Sequence, residues 1–264
     1  MARGFSVVNQ KGGVGKTTTA LNLAAALAQR GQRVLLIDCD SQCNATQFLG
    51  LAHLTRVPGI YGTFELLLGH EGFAPQRDVA HAGLDLVPAT CRVADLEHEL
   101  LRNFLLGPTR KLSRALAPLQ SQYDFIMADC GPTIGLTTVN AISACPEVIV
   151  PVETLPASLP GVVQLQQLME GIRAEVEPRV RLLGVLCTKF EETGRLPREI
   201  VSALRGQLGP LVFDTVIHKA QHVASGAAEG LLPVVLMAPK SRGAREYTSR
   251  TEEVLARGET THGN

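Results

Sequence analysis

Residues 9–18 read Asn-Gln-Lys-Gly-Gly-Val-Gly-Lys-Thr-Thr. These are the residue types that hold a polyphosphate. Glycines let several backbone N–H groups turn toward one anion with no side chain in the way. A lysine closing the loop reaches the β- and γ-phosphates of a nucleotide such as ATP, and the hydroxyl after it ligates Mg2+. On that chemistry Gly12, Gly13, Val14, Gly15, Lys16, Thr17 and Thr18 form the candidate nucleotide cradle, with Lys16 its cation and Thr17 a metal ligand. The strict P-loop pattern asks for glycine where this chain has Gln10, so the pattern is broken while its Gly-Lys-Thr end is intact. Lys11 is a second lysine that a standard cradle does not need. On spacing alone it reads equally well as a solvated side chain.

A phosphate site also needs acids for its metal and its water. Asp38 and Asp40 follow the apolar run Arg-Val-Leu-Leu-Ile, and Asp129 follows Tyr-Asp-Phe-Ile-Met-Ala. An acid at the carboxyl end of a parallel strand faces the crevice where ligands bind. Asp129 fits the second metal-holding acid of a P-loop enzyme, and Asp40 fits the residue that orients the attacking water. Asp38 and Asp40 could also act on the metal through water. The competing reading is an aspartate that merely caps a turn, which suits Asp38 best.

These residues need elements to carry them. Short apolar runs alternate with helical stretches. Strands are expected at Phe5–Val8, Arg33–Asp38, Leu84–Pro88, Tyr123–Asp129, Glu147–Val152, Leu182–Cys187 and Leu211–Ile217. Their near-continuous apolar character belongs to strands covered on both faces. Helices are expected at Thr17–Arg30, Thr63–Leu68, Ala94–Leu106, Pro108–Leu119, Pro160–Val176 and Pro197–Leu208. The alternation predicts an α/β fold: a doubly wound, mostly parallel sheet with helices on both faces. One domain over 1–257 is expected, with a flexible polar tail at 258–264.

Composition narrows the class. The 264 residues are 45% apolar, enough for a large core. Lys plus Arg and Asp plus Glu both number 25, so the chain lacks the basic excess of a dedicated nucleic-acid binder. Its six cysteines contain no Cys-x-x-Cys pair, and free buried thiols are the expectation. Neither a secretory pattern nor an apolar run of ~18 residues is visible, so a cytoplasmic protein is expected.

Taken together, the segments resemble a known family. Residues 9–46, from Asn-Gln-Lys-Gly-Gly to Cys-Asn-Ala-Thr, are similar to the ParA (Soj-type) chromosome and plasmid partition ATPases, of the deviant Walker A group of P-loop proteins. The likeness continues through residues 123–142, 182–190, 211–235 and Ala238–Tyr247, nearly the whole chain. The resemblance implies ATP and Mg2+ as cofactors and specific roles for residues. Lys11 would be the signature lysine that crosses to the partner subunit's nucleotide in an ATP-bound sandwich homodimer. Lys11, Lys16 and Asp40 would be catalytic, and Asp129 the Walker B acid. It further implies non-specific DNA binding by the ATP dimer on the nucleoid, and stimulation of hydrolysis by a ParB-type centromere-binding partner.

The chain departs from that pattern in four places. Ser41 stands for a proline after Asp40, and Gly131 for a proline after Cys130, which adds backbone freedom there. His218-Lys219-Ala220 replaces Pro-Arg-Asn near the base, and an extra residue falls around Leu231-Leu232. Rival readings are a MinD-like membrane ATPase, a nitrogenase-reductase-like cluster protein using Cys91 and Cys130, and an ATP-dependent small-molecule synthetase. The first would need a basic amphipathic helix at the C-terminal end, whereas residues 245–264 carry few large aliphatics, so no membrane partner is expected. Residues 181–264 hold 11 Lys and Arg against 9 Asp and Glu, while residues 1–180 hold 14 against 16. Arg198, Arg205, Lys240, Arg242 and Arg245 are therefore the candidate DNA-phosphate contacts, with a solvated charged face as the alternative.

Overall fold

The computed structural model describes residues 1–57, 59–70, 73–102, 107–156, 158–219 and 232–259. Six strands form one parallel sheet: β1 (Arg3–Val7), β2 (Val34–Cys39), β3 (Leu84–Val87), β4 (Phe125–Cys130), β5 (Glu147–Glu153) and β6 (Arg181–Thr188). Their order across the sheet is β3-β2-β4-β1-β5-β6. Alternate residues along each strand serve two different cores. In β2, Leu35 and Ile37 pack on one face, with the helices Ser158–Glu175 and Arg195–Leu208. Val34 and Leu36 pack on the other, with the first helix (Lys16–Gln29) and the last (Arg242–Glu259). This is the doubly wound architecture, and burial on both faces explains the unbroken apolar runs.

Most expected elements form within a residue or two of their expected ends. The helix expected at Pro108–Leu119 begins three residues late, as Lys111–Leu116 followed by a 3-10 turn over Ala117–Leu119. Three further differences stand out. Leu211–Ile217 is not a strand; after a 3-10 turn over Gly209–Leu211 it meets β6 at one isolated bridge, Val212 to Val185, with the amides of Phe213 and Ile217 donating to the carbonyls of Val185 and Cys187, and just beyond both segments His218 bridges to Phe190. The amides of Asp214 and Thr215 are taken by the Glu253 carboxylate instead of a ladder. Phe213 is clamped between Arg250 and Arg257, with the guanidinium carbons 3.8 and 3.9 Å from its ring centroid. The helix expected at Ala94–Leu106 begins at Leu96, after a 3-10 turn over Cys91–Asp95, and runs to Arg102; residues 103–106 lie outside the described ones. The third difference is an addition. A helix spans Arg242–Glu259, through the point where the tail was expected to begin; 260–264 lie outside the described residues. Its Ala244, Tyr247, Thr251 and Val254 are buried at helical spacing.

Candidate functional site

The site is built where β1, β2 and β4 end together. Register pairs Val7 with Asp129 and Asp38 with Asp129, so two acids lie side by side below the loop that leaves β1. That loop turns through Gly13 and Gly15, at φ 73° and 88°, a region glycine enters without strain. Gly15 is the N-cap of the first helix, with no side-chain cap and no acidic residue in the first turn. The helix N–H groups and positive dipole end are left for an anion. A cavity of about 610 Å³ opens over them, lined by Gly12, Gly13, Gly15, Lys16, Thr17 and Thr18 among others. Val14 is turned into the core instead. Its carbonyl accepts from Thr188 Oγ1 at 2.8 Å, so it can serve a ligand only through its backbone amide.

The two lysines part company. Lys16 is buried, lines the cavity and donates to the Lys11 carbonyl at 3.2 Å. Desolvation lowers its pKa, against the opposing pull of Asp129 and Asp40. Lys11 is exposed and does not line the cavity; its Nζ lies 3.3 Å from Glu153 Oε2.

The three acids also divide. Asp38 is fully buried and its oxygens are committed: Oδ2 accepts from the Thr46 amide and hydroxyl, and Oδ1 from the Asp40 amide. Burial raises its pKa to about 6, against those hydrogen bonds. Asp38 therefore shapes the turn that carries Asp40. Asp129 is fully buried and neither carboxylate oxygen has a hydrogen-bond partner among the described residues. Desolvation, then the neighbouring Asp38 charge, pushes its pKa well above the carboxylate range, while the nearby Thr17 hydroxyl and Lys16 act the other way. An orphaned buried carboxylate beside a threonine hydroxyl is a donor set that suits a hard divalent cation. Asp40 is buried at the edge of the main cavity, and its Oδ1 accepts from the Gln42 amide. It also lines a second cavity of about 140 Å³, reaching toward Glu97 and Thr138.

Gly131 is present for room. A Cβ there would lie 3.2 Å from Asp40 Oδ1 and 3.4 Å from Asp40 Cγ. A methyl group there would press on the Asp40 carboxylate. Gly131→Ala should turn the Asp40 carboxylate and lower kcat for ATP hydrolysis by about tenfold, since small misplacements of a water-orienting group are expensive. ATP affinity should hold. Steady-state phosphate release and titration calorimetry check the split.

Some contributors were not singled out from the sequence. Glu153 and Thr188 end β5 and β6, the same position that pointed to Asp129 and could have found them. Lys189 follows at φ 51° and lines the cavity, as do Ile217, His218 and Lys219; Ala220 and Leu231 lie outside the described residues. The candidate DNA contacts are all exposed. Arg198, Arg205 and Arg245 each donate to one backbone carbonyl, of Glu192, Asp214 and Lys240. Arg242 is different, because two carboxylates, of Glu192 and Glu246, hold its guanidinium. Cys91 is exposed and Cys130 fully buried, and no group of three or more metal-binding side chains clusters among the described residues. No described helix is long and apolar enough to cross a membrane. The buried side of the last helix, including Tyr247 and Val254, packs on the molecule's own core.

A glycine loop between a central parallel strand and a helix, with a buried lysine and an acid on the neighbouring strand, defines a P-loop nucleotide-hydrolysing protein. Comparison with known proteins agrees: a family model described as an AAA domain matches residues 2–182. The chromosome partitioning protein ParA of Caulobacter vibrioides is 35% identical over 263 residues, covering 97% of this chain and 94% of that one. The chromosome-partitioning ATPase Soj of Thermus thermophilus is 38% identical over 257 residues, covering 97% and 96%. A solved structure described as cobyrinic acid a,c-diamide synthase from Mycobacterium smegmatis, with bound ATP analog and magnesium, superposes with a TM-score of 0.82 at 30% identity, covering 99% and 97%. The chain belongs to the ParA/Soj family of P-loop ATPases.

Proposed function

We propose that this chain is a DNA-segregation ATPase that binds ATP with Mg2+, closes into a sandwich homodimer, and holds DNA without regard to sequence in that state. Hydrolysis, stimulated by a ParB-type partner at a centromere-like site, releases it. The protein then works on the nucleoid, in the cytoplasm. The observation that carries this reading is the division of labour between the lysines. Lys16 is committed to its own pocket, while Lys11 is exposed at its rim, held by the half-exposed ion pair to Glu153 that a second subunit's phosphates would have to replace.

Within one subunit the residues have distinct tasks. The loop amides and Lys16 hold the phosphates. Thr17 and Asp129 would hold Mg2+, which bridges phosphate oxygens and offsets their charge. Asp40, between the two cavities, orients a water approaching from the smaller one. That smaller space speaks for water over a bulky acceptor, and so for hydrolysis over the synthetase chemistry in the name of the Mycobacterium smegmatis relative.

DNA binding should follow from dimerisation. A neutral chain offers few phosphate contacts per subunit, and pairing two such faces multiplies their effect. The contacts favoured are Arg198, Arg205, Lys240 and Arg245, whose side chains remain exposed. Gel filtration should show a dimer with ATP and a monomer with ADP. Fluorescence anisotropy on two unrelated duplexes should show equal affinities with ATP, falling with salt at a log–log slope of about −0.9 per phosphate neutralised. Reversing charge at Lys240 and Arg245 together should weaken DNA binding and leave the ATP dimer intact. Equal DNA affinity in ATP and ADP would overturn the reading.

A further inference from the structure

We infer that Arg242 is a positioning residue for the nucleobase: it braces the segments that wall the base end of the pocket, and so sets how tightly and how selectively the base is held. The inference rests on the reading above, that Gly12–Thr18 hold the phosphates.

The direction of the nucleotide follows from the charges. From the loop, the cavity extends one way past Asp40 and Pro132, the acidic side suited to metal, terminal phosphate and water. The other way it passes Ile217, His218, Lys219 and Gly243. A nucleotide anchored by its phosphates must send its ribose and base that second way. The walls there come from parts of the chain far apart in sequence: the stretch after β6, the irregular segment 217–219, and the start of the last helix. None of them is held to another by a sheet ladder beyond the single bridge from Phe190 to His218.

Arg242 joins all three. Its Nη1 and Nη2 donate to the two oxygens of Glu192, at 3.1 and 2.8 Å. The same Nη2 donates to His218 Nε2 at 2.6 Å. Nε donates to Glu246 Oε1 at 2.8 Å. Glu246 closes the ring, accepting from the His218 amide at 3.0 Å and from His218 Nδ1 at 2.7 Å. Both ring nitrogens of His218 are therefore in contact, Nδ1 with Glu246 and Nε2 with Arg242. The imidazole is thereby fixed at both nitrogens, and its edge-on packing on Phe190, 5.1 Å between centroids, fixes its plane. All three guanidinium nitrogens are already engaged by partners on the protein, an arrangement for holding walls together more than for reaching a DNA phosphate. A lysine could keep only one of these contacts, because the planar fork is what reaches several partners together.

The test separates base from phosphate. Binding of ADP, GDP and inorganic tripolyphosphate is measured by calorimetry on wild type, Arg242→Ala, Arg242→Lys, Glu192→Gln and Lys16→Ala, with thermal unfolding of each. Arg242→Ala should weaken ADP by about tenfold and narrow the gap between ADP and GDP, with tripolyphosphate affinity unchanged within about twofold. Arg242→Lys should fall between, and Glu192→Gln should move in the same direction as Arg242→Ala. Lys16→Ala should lose ADP and tripolyphosphate alike. DNA anisotropy of Arg242→Ala at saturating ATP should match wild type. Equal losses of ADP and tripolyphosphate in the Arg242 and Glu192 variants would overturn the inference. So would unchanged ADP affinity with weakened DNA binding, which would return Arg242 to the DNA surface. Wild type that binds neither nucleotide nor tripolyphosphate would overturn the pocket reading itself, and the brace with it.

Discussion

Lys16→Ala loses ATP binding by roughly 10²–10⁴-fold while the chain stays folded; this is the largest affinity effect expected of any single change. Hydrogen bonds to a charged partner contribute about 1.5–3 kcal/mol each, and a lysine between two phosphates makes at least two. The structure gives no substitute. Lys11 points to Glu153, and Lys189, the other lysine near the loop, has its Nζ 3.8 Å from the same carboxylate. The fold should survive, because Lys16 contributes one hydrogen bond, to the Lys11 carbonyl, and no apolar packing that the sheet depends on. Removing it also takes away a positive neighbour that pulls the Asp129 pKa down, so that pKa should rise further. Titration calorimetry with ATP, beside a thermal unfolding scan, checks both halves. Unchanged ATP affinity would remove the phosphate cradle from this site.

The sequence made the phosphate half of the site legible because its chemistry is local. Gly12 to Thr18 are contiguous, and the two acids sit at strand ends that apolar runs announce. The same periodicity that located β2 and β4 placed Asp38 and Asp129 in register, although only the coordinates separate the committed oxygens of Asp38 from the orphaned ones of Asp129. The base half was opaque for a physical reason. It is assembled from single residues on three segments, His218, Glu192 and Arg242, and none carries a pattern of its own. Arg242 looked like a surface cation because spacing cannot reveal which carboxylates fold against it. Leu211–Ile217 misled in a related way. Its apolar alternation suits a strand, yet Phe213 is buried against two arginines and its neighbours' amides go to Glu253. The last helix is not legible in the sequence because its buried stripe is interrupted by a charge: Arg250 is fully buried beside Tyr247, Thr251 and Val254.

Lys11→Ala should keep ATP binding and lose turnover by about 10³–10⁵-fold, the usual value of a cation supplied in trans to a phosphoryl transition state. The argument is geometric. Lys11 lies five residues before Lys16 in the same loop, yet its side chain leaves the cavity and meets Glu153 at the end of β5. Lys11 is thus paired at the cavity rim with a lining carboxylate and not seated among the loop amides, which fits a charge offered to another subunit's nucleotide. Complementation decides the point. Lys11→Ala and Asp40→Ala subunits should each be inactive alone. Mixed, they form heterodimers in which the intact Asp40 of one subunit and the intact Lys11 of the other meet at one nucleotide, so hydrolysis returns. A lysine acting in cis would leave the mixture as dead as its parts. Glu153→Gln tests the contact from the opposite side. A half-exposed ion pair contributes at most about 1 kcal/mol, and a homodimer releases two, so freeing Lys11 should favour the ATP dimer by no more than about thirtyfold. Sedimentation velocity across an ATP series measures that shift, and a Glu153→Gln dimer weaker than wild type would mean that Glu153 supports the lysine's crossing instead of restraining it.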